Sequence, residues 1–150
     1  FYTWTLEHPY DNPLRPPPPE ELPSPPPTAE PWTQRRIEKS NFSWVELETS
    51  FQWSCFRRTV QTLQTRGNRV FVVVGPFNEH MLKEPSLTAY RRIKDEIAAW
   101  LETKRIPHII PAVLPSELYA DASHPLGPGY AALARQLLDD EAFTRFREKK

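Results

Sequence analysis

The run "RVFVVVGP", Arg69 to Pro76, limits what this chain can fold into more than any other stretch. Val70 to Val74 are consecutive apolar β-formers without polar alternation, the pattern of a strand buried on both faces in the middle of a parallel sheet. Such a strand needs cover above and below and hydrogen-bonding neighbours on either side. An α/β architecture supplies both.

The flanking sequence offers the cover. Trp44, Leu47, Phe51, Cys55, Val60 and Leu63 recur near a helical period. With Ser43 as N-cap and Glu46 as the third residue of a capping box, the pattern predicts a helix from about Ser43 to Arg66, stopped by Gly67-Asn68. Pro85 and Ser86 open a second helix, apolar at Leu87, Tyr90, Ile93, Ile97, Trp100 and Leu101, that ends near Lys104. "IPHIIPAVLP" places a short strand on Ile109-Ile110, and its prolines put it near an edge. Tyr130, Leu133, Ala134, Leu137 and Leu138 mark a last amphipathic helix, with the tail "REKK" expected to fray. Between the two strands this is a β-α-β unit, with a right-handed crossover expected.

The sheet is short of strands. Beyond the two just described, "FYTWTL" at Phe1 to Leu6 is the remaining candidate. A sheet so small leaves buried amides and carbonyls unpartnered, each at about 1–3 kcal/mol. Part of it is therefore expected in a missing N-terminal part of the same protein, or in another chain. A start on Phe1 rather than Met reads as a cut, so the lack of a targeting signal says nothing about compartment.

A length of 150 residues suits one domain, but 11 of the 18 prolines precede position 40. Residues 1–40 therefore read as a Pro-rich linker or surface-wrapping segment, and 41–150 as the folded part. Arg15 beside four prolines resembles an SH3 ligand, yet the pattern would require proline where Glu21 stands. Lys plus Arg and Asp plus Glu balance at 19 each, which removes the field that nucleic-acid binding needs. No apolar run of about 18 residues occurs, so no transmembrane segment is expected in this chain. Cys55, the single cysteine, sits between Trp53 and Phe56 and reads as a buried thiol. Trp44, Trp53 and Trp100 read as core residues, and Trp4 and Trp32 as anchors of the proline segment.

Chemistry concentrates in "YADASHPLGPGY", Tyr119 to Tyr130. Open parallel sheets build sites beyond the carboxyl ends of their strands, and this loop follows the second strand there. A carboxylate accepting from imidazole Nδ1 leaves Nε2 free as a base, and Asp121 and His124 have the spacing for it. Taken alone, Asp-x-x-His also describes a surface turn with an aspartate cap. The motif "DASHPLGPGYAALARQL" resembles the C-terminal block of the SGNH (GDSL-like) hydrolases, Asp-x-x-His-Pro followed by a glycine-containing helix. "RVFVVVGPFN", the helix after it and the proline-flanked strand resemble the unit that precedes that block.

The resemblance implies an incomplete three-layer α/β/α sandwich of flavodoxin type with parallel strands. It makes His124 the general base and later acid, and Asp121 its orienting carboxylate. It implies a C-terminal portion of a serine ester hydrolase, deacetylase or O-acyltransferase acting on a small-molecule or carbohydrate ester, with no cofactor, and it is compatible with an extracytoplasmic location. The family's Gly-Asp-Ser nucleophile block is not in this sequence. Ser123 has no strand-turn-helix elbow to activate it, so the chain alone is expected to be inactive. Asn78 and His80 in "GPFNEHM" are expected at the substrate rim. Two other classes fit the residues: a noncatalytic α/β interaction module with a proline-rich arm, and a metal site from Glu79, His80, Asp121 and His124, which lacks a supporting ligand spacing. No metal is expected.

Overall fold

The computed structural model describes residues 30–148, in which four helices surround a two-stranded parallel sheet. In chain order these are α1 (Phe51–Thr65), β1 (Val72–Val73), α2 (Glu84–Thr103), β2 (His108–Ile109), α3 (Gly127–Asp139) and α4 (Glu141–Glu148). Short 3-10 turns occupy Trp32–Gln34, Glu79–Met81 and Ser116–Leu118. The mixed α/β class and the parallel pair agree with the expectation. The Phe1 to Leu6 strand candidate, Trp4, Arg15 and most of the proline run lie outside the described residues.

Val72 pairs with His108 and Val73 with Ile109. The Val72 amide donates to the Pro107 carbonyl and the Val74 amide to that of Ile109, each at 3.0 Å. Strand alternation then sorts the side chains. Val70, Val72 and Val74 pack with Val60 of α1, Leu101 of α2 and Ile106, while Phe71 meets Phe143 and Phe146 of α4 at ring-centroid distances of 5.1 and 5.3 Å. The apolar run predicted cover on both faces, but Val73 is 48% exposed. The short α4 reaches Phe71 and leaves its neighbour two residues along the same face open.

Helix α1 begins seven residues later than its periodicity suggests. Ser50, not Ser43, is the cap: its Oγ accepts from the Trp53 amide at 3.2 Å. Residues 41–49 are held outside a helix by contacts distant in sequence. Ser86 Oγ accepts from the Phe42 amide at 2.6 Å and donates to its carbonyl at 2.9 Å, and the Trp44 indole donates to the Ser86 carbonyl at 2.8 Å. Trp44 thus packs among Phe42, Phe77 and Tyr90 rather than on a helix face. Cys55 shares the solvent side of α1 with Phe51, so the thiol is exposed and not buried as expected. Trp53 and Trp100 do meet, edge to face, at 5.0 Å.

Both long helices end in the same way. After α1, Gly67 at φ 78 lets its amide bond the Gln64 carbonyl and the Asn68 amide bond that of Leu63. After α2 the matching bonds run from Arg105 to Glu102 and from Ile106 to Leu101, with Arg105 at φ 53. Ile106 and Leu101 also touch in the core, the hydrophobic contact that accompanies this cap.

Of the tail expected to fray, Arg147 and Glu148 are the last residues of a further helix, α4, and residues 149–150 lie outside the described residues. Asp140 Oδ1 accepts from the Phe143 amide at 2.8 Å, which starts a new helix and folds its two phenylalanines back onto Phe71. Within residues 1–40, the part from Pro31 onward belongs to the folded body: Trp32 is buried, and Ser40 bridges to Leu82. No described helix is long and apolar enough to cross a membrane.

Candidate active site

Both parallel strands send their carboxyl ends into loops that touch. Asn78, after β1, donates its amide to the Ala122 carbonyl at 2.8 Å and its side-chain Nδ2 to the Asp121 carbonyl at 3.2 Å. The loop after β2 closes on itself through an antiparallel bridge between Tyr119 and Pro125. Here the Ala120 amide donates to the His124 carbonyl at 2.8 Å and the Leu126 amide to that of Leu118 at 2.7 Å. Pro125 is buried at the base of this hairpin, and Asp121 and His124 stand at its tip.

Asp121 does two things there. Its Oδ1 accepts from the backbone amides of Ser123 and His124, both at 2.9 Å, which forms an Asx turn. Its carboxylate also faces the imidazole, with His124 Nδ1 at 2.9 Å from each oxygen. Partial burial works against the charge of Asp121, but the Ser123 amide, the His124 ring and the His124 amide outweigh it and hold the carboxyl below its ordinary range. The His124 side chain is 69% exposed, and none of the described residues bonds its Nε2. Ser123 Oγ lies 3.3 Å from Nδ1, the wrong nitrogen for a hydroxyl that Nε2 would deprotonate.

This geometry fixes a tautomer. A carboxylate at Nδ1 requires the proton there, leaving the Nε2 lone pair toward solvent. In ¹⁵N NMR the neutral His124 ring is expected as the Nδ1–H form, and Asp121→Ala is expected to return it to the Nε2–H form usual for free histidine. An unchanged tautomer in the variant would contradict the orienting role.

The hairpin rests on a buried platform. Tyr119 is fully buried, and its hydroxyl accepts from the Leu114 amide at 3.3 Å. Trp32 covers it from the other side: its amide donates to the Tyr119 carbonyl at 2.9 Å, and its indole donates to Ser116 O at 3.0 Å. Gly129 permits α3 to approach, because a Cβ there would sit 2.6 Å from the Leu118 carbonyl oxygen and 2.9 Å from Pro125. Burial pushes the Tyr90 hydroxyl up to about 12 and that of Tyr119 upward, so neither acts as a base near neutral pH.

The expected rim residues occupy different places. Asn78 is fully buried beneath the hairpin and acts as its tie, so it is not on an open rim. His80 is exposed, but its Nε2 lies 3.0 Å from the Leu114 carbonyl, and no hydrogen bond joins it to Asp121 or His124. Glu79, a member of the metal set that the sequence suggests, is committed to a different role. It is 8% exposed, bound by Arg91 Nε at 3.1 Å and by Lys94 Nζ. Burial works against its charge, yet the two cations win and hold it below the ordinary carboxyl value of 4.5. With Glu79 committed in this way, the four-residue metal set does not assemble, and among the described residues no group of three or more His, Cys, Asp and Glu could hold a metal ion.

Glu79→Gln is expected to cost about 2 kcal/mol near neutral pH, since it removes charged hydrogen bonds and strands Lys94, whose side chain is 19% exposed. A depressed carboxyl contributes its full stabilisation above the unfolded value and loses it as pH falls through the folded one. The gap between wild type and variant should therefore shrink below about pH 4.5, as urea melts at a series of pH values would show.

Comparison of this chain with protein-family models, with curated proteins and with solved structures finds no match.

Proposed function

We propose that Asp121 and His124 are the acid-base pair of a serine acyl hydrolase or acyltransferase of the SGNH type. The observation that carries the reading is the Asp121 carboxylate on His124 Nδ1, with Nε2 open, at the carboxyl ends of two parallel strands. In this reading His124 Nε2 takes the proton from a serine hydroxyl as it attacks an ester carbonyl, and later returns it to the leaving alcohol. Asp121 stabilises the imidazolium formed in between without being protonated itself. The helices on opposite faces of the sheet form part of a three-layer α/β/α sandwich whose remaining strands join beside β1.

In this reading the serine lies outside this chain, which has no Gly-Asp-Ser. Among the described serines, Ser123 faces Nδ1, while Ser50 caps α1 and Ser86 is buried against Phe42. A fluorophosphonate probe tests this directly. The 150-residue chain should stay unlabelled. A polypeptide whose reading frame extends upstream to a strand ending in Gly-Asp-Ser should be labelled at that serine, with labelling lost on denaturation. Denaturation-sensitive labelling of the shorter chain would place the nucleophile within it and overturn the assignment.

A further inference from the structure

The opposite end of the sheet holds a second site that is independent of the hairpin. A cleft of about 670 Å³ opens where the chain enters β1 and β2, between the carboxyl ends of α1 and α2 and the flank of α4. Arg69, Arg105 and Arg145 line it against one carboxylate, Glu102, and Val70, Ile106 and Phe146 contribute apolar wall. We propose that this cleft binds a small organic oxyanion, a phosphomonoester or sulfate ester, with its charged group on the arginines and its organic part on the apolar wall.

The arginines are available for that task. Among the described residues, neither Arg69 nor Arg105 has a carboxylate within salt-bridge distance. Arg145 pairs with Glu141 at 3.3 Å, but both side chains are largely exposed, and such a pair holds its members weakly. Arg69 is preorganised: its guanidinium lies 4.4 Å from the Phe146 ring centroid, which fixes a planar donor group at the cleft wall. A planar fork of N–H groups matches the oxygens of a phosphate or sulfate.

Helix capping does not explain these residues. The Leu63 and Gln64 carbonyls of α1, and the Leu101 and Glu102 carbonyls of α2, are already met by backbone amides. Moreover, Arg105 stands at a left-handed position where glycine would fold without strain. The arginine there places its charge in the cleft at the expense of the backbone. Relieving that strain while removing the charge separates binding from folding.

The test is NMR titration of the ¹⁵N-labelled chain with inorganic phosphate and with glycerol phosphate, against chloride at equal ionic strength. Saturable shifts of cleft amides are expected with both phosphates and not with chloride. Arg105→Gly should weaken binding by about tenfold without lowering Tm, and Arg69→Ala should weaken it similarly. Shifts no larger than those of chloride, or wild-type affinity in both variants, would overturn the proposal. Phosphatidylcholine vesicles containing phosphatidic acid separate a soluble ligand from a lipid headgroup. Co-sedimentation with them, without a response to glycerol phosphate, would sink the soluble-ligand assignment.

Discussion

On the proposed acyl-transfer reading, His124→Ala is expected to lower ester hydrolysis by about 10³-fold or more in a polypeptide that carries the nucleophile, while unfolding free energy changes by less than about 0.5 kcal/mol. The two halves of this expectation have different origins. Activity falls because, among the described residues, the ring is the only group at the hairpin tip placed to take a proton: Asp121 is held ionised and facing Nδ1, and the buried Tyr119 and half-buried Tyr90 have raised pKa values. Stability is spared because the ring is 69% exposed and the backbone bonds of the hairpin do not use it. Asp121→Asn makes a sharper control. The amide oxygen can still accept from the Ser123 and His124 amides and keep the Asx turn, yet a neutral group no longer stabilises an imidazolium. Activity should therefore fall about as far, with the fold again intact. Wild-type kcat/KM in His124→Ala would remove the catalytic reading, whatever the hairpin does structurally.

What could be read from the chain in advance was what depends on neighbours in sequence. The periodicity of α2, the stop at Gly67-Asn68 and the Asp-x-x-His turn are all decided within a few residues, and each appears where its pattern lies. Reading failed where distant groups decide. Trp44 and Leu47 continue the helical period of α1, but Ser86, more than 40 residues away, takes the Phe42 backbone and the Trp44 indole. Asn78 looked like a rim residue because polar loop residues after a parallel strand often are. Its burial depends on the Ala122 and Asp121 carbonyls, which sequence distance conceals. Two local signals do match the structure: Asp140 three residues before Phe143 marks a helix start, and Gly129 inside a helical pattern marks a close backbone approach.

Trp32→Ala tests whether the hairpin's precision comes from the strap in front of the folded core. The indole is buried against Met81, Leu114 and Tyr119, and its removal is expected to cost about 3–5 kcal/mol, a large share of the stability of a domain this size. Trp32→Phe keeps most of the apolar contact and loses the indole bond to Ser116, so it should cost about 1 kcal/mol for that bond plus a smaller cavity term. Because Trp32 also bonds the Tyr119 carbonyl through its own amide, the strap should detach locally in the alanine variant if the rest still folds. Hydrogen exchange would then show the Ala120 and Leu126 amides, which close the hairpin, losing protection before those of α2. Uniform loss of protection would mean that the hairpin and the body unfold as one unit. Unchanged protection with an unfolding free energy lowered by less than about 1 kcal/mol would show that the strap contributes little, and that Tyr119 and Gly129 suffice to hold Asp121 against His124.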